Sequence, residues 1–203
     1  VNAINLHMYE QSCLRVEKDN NFATTLPVPV AAYANEVIKS TYNLGFLGVT
    51  EPVLELDLEH RLVEKIKLFL LELGKGFTYI GNQYPIEYKG RSGIVDLLFF
   101  HRGLRSLIAI ELKAGRYKPE YAGKMNYYLS ILDRTERGEG ENPSIGIILC
   151  AEKNHVDVEL SLDGMDKPIG VADYRLIIPQ EDLKQVIQDE IQAYDDEKQK
   201  GNE

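Results

Sequence analysis

The chain holds two cysteines in 203 residues, Cys13 and Cys150. They lie far apart, and Cys150 closes an apolar run where a small thiol is an ordinary buried residue. Neither feature favours a disulfide framework, and a reducing, cytoplasmic setting is expected. No apolar stretch reaches the length that crosses a bilayer, and no charged-then-apolar segment opens the chain, so neither a membrane nor a secretory signal enters the reading. The four histidines, His7, His60, His101 and His155, are scattered without the spacing or cysteine pair of a zinc site. Of these, His101 reads as a turn residue. There is no nucleophile elbow or phosphate-binding loop, and Gly74, Gly76 and Gly81 follow a helical pattern without dinucleotide spacing. Positive charge is not in excess either: the net charge is −9. That argues against a protein that coats nucleic acid at large, because backbone binding comes from Lys and Arg neutralising phosphates.

What the chain does have is 44% hydrophobic residues, enough to fill the core of one domain with appendages. Its charge is unevenly placed. From Gln180 onward eight acids face three lysines. From Lys89 to Lys124 eight basic residues face only Asp96, Glu111 and Glu120. An acidic protein is thus locally basic around two acids, the footprint of a phosphate-binding site. A solvated charged surface is the competing reading.

The informative stretch runs from Ile94 to Lys113, where IVDLLFF, a polar break HRGLRS and LIAIELK read as a β-hairpin. Alternation puts Ile94, Asp96, Leu98 and Phe100 on one face of the first strand, and Leu107, Ala109, Glu111 and Lys113 on one face of the second. If Phe100 pairs with Leu107, Asp96 falls opposite Glu111 on the same face. Lys113 then lies two residues further along, while Ile108, Ile110 and Leu112 turn to the core. Two carboxylates held together need a cation or a proton between them. A hard divalent ion such as Mg²⁺ (or Mn²⁺) suits oxygen ligands, and a lysine beside it can position a water or steady charge on a phosphate.

Asp96 followed by Glu111-Leu112-Lys113 resembles the D…(D/E)XK signature of the PD-(D/E)XK nucleases, with Val95 where the motif's name has Pro. The strings FLLELGKGF, DLLFFH, IELK, KPEYAGKMNYYL and NPSIGIILC are similar to the YhcG-like family of predicted bacterial nucleases, over roughly Thr41 to Ile178. The resemblance implies a Mg²⁺-dependent phosphodiesterase that acts on DNA. Asp96, Glu111 and the Leu112 carbonyl would hold the ion, Lys113 would assist the attacking water, and Glu59 would support from the first core helix, with Glu55 and Glu64 as rivals. The alternative is a nuclease-fold module without turnover that binds nucleic acid or a protein. Arg116, Lys118 and Lys124, and from the preceding strand Gln83, are the candidate contacts to nucleic acid. Association of the chain with itself stays open.

The remaining pattern predicts an α/β fold with an αβββαβ restriction-endonuclease-like core, a mixed central sheet flanked by helices. A helix over Asp57 to Leu73 is ended by Gly74, and a strand from Phe77 to Tyr88 carries Pro85, a mark of an edge. After the hairpin come a helix begun at Pro119, a buried strand from Ser144 to Cys150, a helix or strand over Val156 to Met165, and a strand from Ile169 to Ile178. Residues 1–50 read as a short helical segment, with helices over Val1 to Val16 and Ala31 to Ser40 separated by Asp19-Asn20-Asn21. Since the chain begins on Val1, this segment is expected to be the end of an N-terminal module that is missing here. Residues 51–179 form the nuclease-like domain, and 180–203 a frayed helix with an acidic tail.

Overall fold

The computed structural model of the protein describes residues 19–49 and 53–176. The helix expected over 1–16, the last residues of the strand expected to end at 178, and the C-terminal helix and tail lie outside them. The described chain opens with α1 (Phe22–Thr25), α2 (Val28–Val37) and β1 (Thr41–Asn43). It continues through α3 (Glu55–Glu64), α4 (Ile66–Leu73), β2 (Phe77–Tyr88), β3 (Arg91–His101), β4 (Ser106–Arg116) and α5 (Glu120–Thr135), then β5 (Ile145–Glu152), α6 (His155–Leu162) and β6 (Ile169–Arg175). The six strands make one mixed sheet in the order β1-β6-β5-β4-β3-β2. β1, β6, β5 and β4 run parallel, and β3 and β2 complete the sheet antiparallel. The αβββαβ order is the one the sequence pattern predicts, and β2, with Pro85, is an edge strand.

Local chemistry explains the joints. Tyr88 pairs with Arg91, and the two residues between them, Lys89 and Gly90, have φ of 50° and 73°. Two consecutive left-handed residues are what a tight two-residue hairpin turn demands. β4 is buried continuously from Ser106 to Lys113, because helices cover both faces of the sheet at its centre. Alternation sorts its side chains: Ile108, Ile110 and Leu112 join Leu58, Leu62, Phe69 and Leu73 on one side, whereas Leu107 and Ala109 join Met125, Tyr128 and Leu129 of α5 on the other. Such layers, each burying several aliphatic side chains at roughly 25 cal/mol per Å², supply most of the stability.

Three expectations are revised. The helix expected over Asp57 to Leu73 is two helices, broken at Lys65 (φ −104°, ψ 31°), whose ammonium donates to the Phe46 carbonyl at 2.8 Å. The break lets Leu58 and Leu62 of the first half and Phe69 and Leu73 of the second all reach the same core. The segment before residue 50, read as an appendage, is not set apart over its described part: β1 pairs with β6, and Phe22, Ala34, Tyr42 and Leu47 are core residues. The Asp19-Asn20-Asn21 break anchors it. Asn21 Oδ1 accepts from the Ile169 N–H at 2.8 Å, and buried Asp19 pairs with buried Lys153 at 2.8 Å. Lys153 also donates to the carbonyls of Ser40 and Val171, so three segments meet on one ammonium. The ambiguous stretch after β5 is a helix, because Asn154 accepts from the N–H groups of Val156 and Asp157 and caps it. His101 is fully buried: its Nδ1 accepts from the Leu104 N–H at 3.0 Å and its Nε2 donates to the Lys75 carbonyl, a turn-stabilising role as expected.

Candidate active site

β3 and β4 pair with Phe100 opposite Leu107 and Leu97 opposite Ile110, the register that the hairpin pattern requires. The paired residues end there. One step further, where Asp96 and Glu111 would face each other, Asp96 Oδ2 accepts from the backbone N–H of Leu112 at 2.8 Å. A side-chain oxygen thus stands in for a strand partner at the mouth of a fork between the two strands, satisfying a donor that the parting strands would orphan.

Glu111 (2% exposed) and Lys113 (7%) lie in this fork. Charged groups are rarely buried so deeply unless paired, and these two are. Lys113 Nζ lies 3.1 Å from Glu111 Oε1, 3.0 Å from Glu55 Oε2 and 2.8 Å from the Leu112 carbonyl. The ammonium of Lys124, from α5, bonds the same Glu111 oxygen. Each ammonium sits 5.2 Å from a tyrosine ring of that helix, Lys113 over Tyr121 and Lys124 over Tyr128. Positions 121, 124 and 128 share a helix face, so α5 forms one wall of the site. Among the described residues, Glu111 Oε2, although buried, has no hydrogen-bond partner.

The electrostatics follow from this geometry. Burial, and then the charge of Glu111, push the Asp96 carboxyl up to about 6. For Lys113 burial works against the charge, but Glu111 and Glu55 outweigh it and hold the ammonium above the ordinary lysine value. Glu111 does the same for Lys124, also against burial.

The other candidates are placed as follows. Glu59 is buried on α3, but its carboxylate accepts from Asn82 (3.0 Å) and Gln83, not from Lys113. Successive strand residues normally point to opposite faces. Here Gln83 has φ of 44°, and this left-handed step brings both side chains to one carboxylate. By the flanking pairs Asn82–Leu97 and Tyr84–Val95, Gln83 falls opposite Asp96, so Glu59 reaches the site through β2. The Gln83 side-chain amide donates to Glu59. Glu55, one turn earlier, is the helix acid that meets Lys113, and Glu64 is exposed. Lys124, read as a contact for the nucleic-acid backbone, bonds Glu111 in the fork. The Leu112 carbonyl, read as a third ligand, accepts from Lys113. Arg116 and Lys118 are exposed beyond the site, on either side of buried Tyr117. Sequence reasoning missed Asn82 and the tyrosine-lined wall. The spacing of Tyr121, Lys124 and Tyr128 carried that signal, since it places a lysine between two rings on one face. Tyr128 is wedged against Gly93, where a Cβ would lie 2.5 Å from its ring. Gly93→Ala is therefore expected to lower unfolding free energy by about 1–3 kcal/mol in urea titrations, by displacing the ring that backs Lys124. An unchanged midpoint would show that the ring moves freely.

Among the described residues no group of three or more His, Cys, Asp and Glu converges to hold a metal. The fork nonetheless fits a hard divalent ion: an unpartnered buried Glu111 oxygen beside an Asp96 whose ionisation that same charge opposes is an anionic pair short of a cation. Two carboxylates with water and substrate oxygens are an ordinary set for Mg²⁺. No helix of the described residues is long and apolar enough to cross a membrane.

The family model of the YhcG PDDEXK nuclease domain matches residues 35–192 of the chain. YhcG of Escherichia coli (strain K12) is 32% identical over 173 residues, covering 85% of this chain and 46% of that protein, so the chain spans less than half of this curated relative. Among solved structures, a repair endonuclease from Pyrococcus abyssi aligns with a TM-score of 0.42 at 18% identity over 62% of this chain and 47% of that one. The EndoMS–dsDNA complex aligns with a TM-score of 0.39 at 19% identity, over 58% and 44%.

Proposed function

Because the chain belongs to the YhcG PDDEXK nuclease domain family, we propose that it hydrolyses phosphodiester bonds in DNA with the help of a divalent ion, Mg²⁺ or Mn²⁺. The observation that carries this reading is the unpartnered oxygen of Glu111, buried in the fork beside Asp96. Asp96 and Glu111 would hold the ion, with the Leu112 carbonyl beside them in the same cluster. When bound, the ion polarises the phosphate and activates a water. Lys113, anchored by Glu55, positions the attacking water and steadies the charge that develops on the phosphate oxygens. Glu59 acts by fixing Asn82 and Gln83, which set the strand opposite Asp96. Arg116 and Lys118 extend along the strand and loop beyond Lys113, and bind the backbone of the substrate.

The test is incubation with supercoiled, linear, branched and single-stranded DNA, and with RNA, in Mg²⁺, Mn²⁺ or EDTA. Cleavage that needs the ion is the expected result. Intact substrates in every ion, with binding retained, would establish the binding-module alternative. Replacing Arg116 and Lys118 together with Ala is expected to weaken DNA binding across all sequences and to lower the slope of log affinity against log salt by about 1–2. An unchanged slope would make them ordinary surface residues.

A further inference from the structure

We infer that Lys124 is a built-in counter-ion of the site: its ammonium holds Glu111 while no divalent ion is bound, is displaced when one binds, and is then free to take a phosphate of the substrate. The inference rests on the reading that the fork binds a divalent ion, and it goes beyond that reading in naming what the ion must displace.

The two ammoniums on Glu111 are held unequally. Lys113 has three oxygen partners, on Glu111, Glu55 and Leu112, and its side chain is 8% exposed. Lys124 bonds one carboxylate oxygen, and its side chain is 44% exposed. Both draw on the same oxygen, Glu111 Oε1, while Oε2 stays unpartnered. A buried carboxylate needs compensation, and in the fork the charges of Asp96, Glu111 and Glu55 are set against those of Lys113 and Lys124. A divalent ion adds two positive charges at Glu111, and like-charge repulsion then falls on both ammoniums. The one with fewer bonds and an open path to solvent leaves. Lys124 need not travel far, because the Tyr128 ring 5.2 Å away still supports its stem and charge. It therefore stays at the wall of the site, where a phosphate beside the bound ion would meet it.

Two measurements on the whole chain, both without nucleic acid, test this. Calorimetry of Mn²⁺ binding compares the parent with Lys124→Met and Lys124→Arg. The Met variant is expected to bind Mn²⁺ about tenfold more tightly, within the roughly 5–150-fold range of coupled sites, and the Arg variant to stay near the parent. Reductive methylation of the parent, mapped by peptide mass, is expected to label Lys124 faster in Ca²⁺ than in EDTA, with Lys39, which bonds Glu72 away from the fork, as the internal standard. A parent that binds Mn²⁺ while Lys124→Met binds it equally or more weakly would overturn the inference and leave the nuclease reading intact. Unchanged labelling of Lys124 would do the same. A parent that binds no Mn²⁺ would overturn both.

Discussion

Lys113→Ala is expected to bind divalent ions at least as well as the parent and to cleave DNA roughly 10²–10⁴-fold more slowly, the usual cost of losing a group that manages charge or protons in the transition state. The two halves of this expectation come from different bonds. Lys113 Nζ lies 3.1 Å from the Glu111 oxygen and 2.8 Å from the Leu112 carbonyl, so removing it frees oxygens that the ion can use. Yet it is also the ammonium most deeply set in the fork, tied to Glu55 from the opposite side, and no neighbour replaces it in place. Lys124 reaches Glu111 from α5 and sits over a different ring. The check is Mn²⁺ calorimetry beside a plasmid-nicking assay. A variant that nicks at the parental rate would reduce Lys113 to a salt-bridge partner.

Asp96→Asn and Glu111→Gln are both expected to lose ion binding and cleavage together, while moving metal-free stability in opposite directions. Asp96 is an acid whose carboxyl is pushed up to about 6 by burial and by the Glu111 charge. Its folded-state pKa is thus above the unfolded value, so the ionised form disfavours folding. That cost is absent below pH about 4, develops as pH rises toward 6 and is complete at neutral pH. Asn removes it and can still accept from the Leu112 N–H. After discounting for solvent exposure, a gain of about 1–2 kcal/mol at neutral pH is expected, vanishing in acid. Glu111→Gln does the reverse, since it takes from Lys113 and Lys124 the carboxylate oxygen they share and leaves buried Lys113 with Glu55 as its one acid, a loss of about 1–3 kcal/mol. Thermal melts in EDTA at pH 4 and pH 7 decide the matter. If Asp96→Asn melts below the parent at neutral pH, the acid pair is not under repulsion and offers a divalent ion no charge to relieve.

The hairpin was legible in the sequence because its period is two and its chemistry is out of place: an Asp and a Glu-x-Lys interrupt runs that otherwise alternate between two cores. Register follows from that alternation, since a slip of one residue would send every buried side chain to the wrong face. The flanking helices and β5 were legible for the same reason, each burying one stripe or a whole run. β1, by contrast, is three residues long, too short to show a period, and exists because β6 offers it an edge. The break at Lys65 was hidden as well, because helical spacing continues through it and only the demand of Leu58 and Phe69 for the same core reveals it.

At the site the division is sharper. Sequence alone determined which acids and which lysine share a face, as strand geometry is local. It did not determine that Glu59 serves Asn82 and Gln83 while Glu55 serves Lys113, nor that Lys124 shares an oxygen with Lys113. Those partnerships join α3, β2, β4 and α5. They depend on where rigid elements stop against one another, and the sequence spacing along any one of them carries no record of it. Tertiary packing made the choice, by burying Glu111 between Lys113 of its own strand and Lys124 of α5.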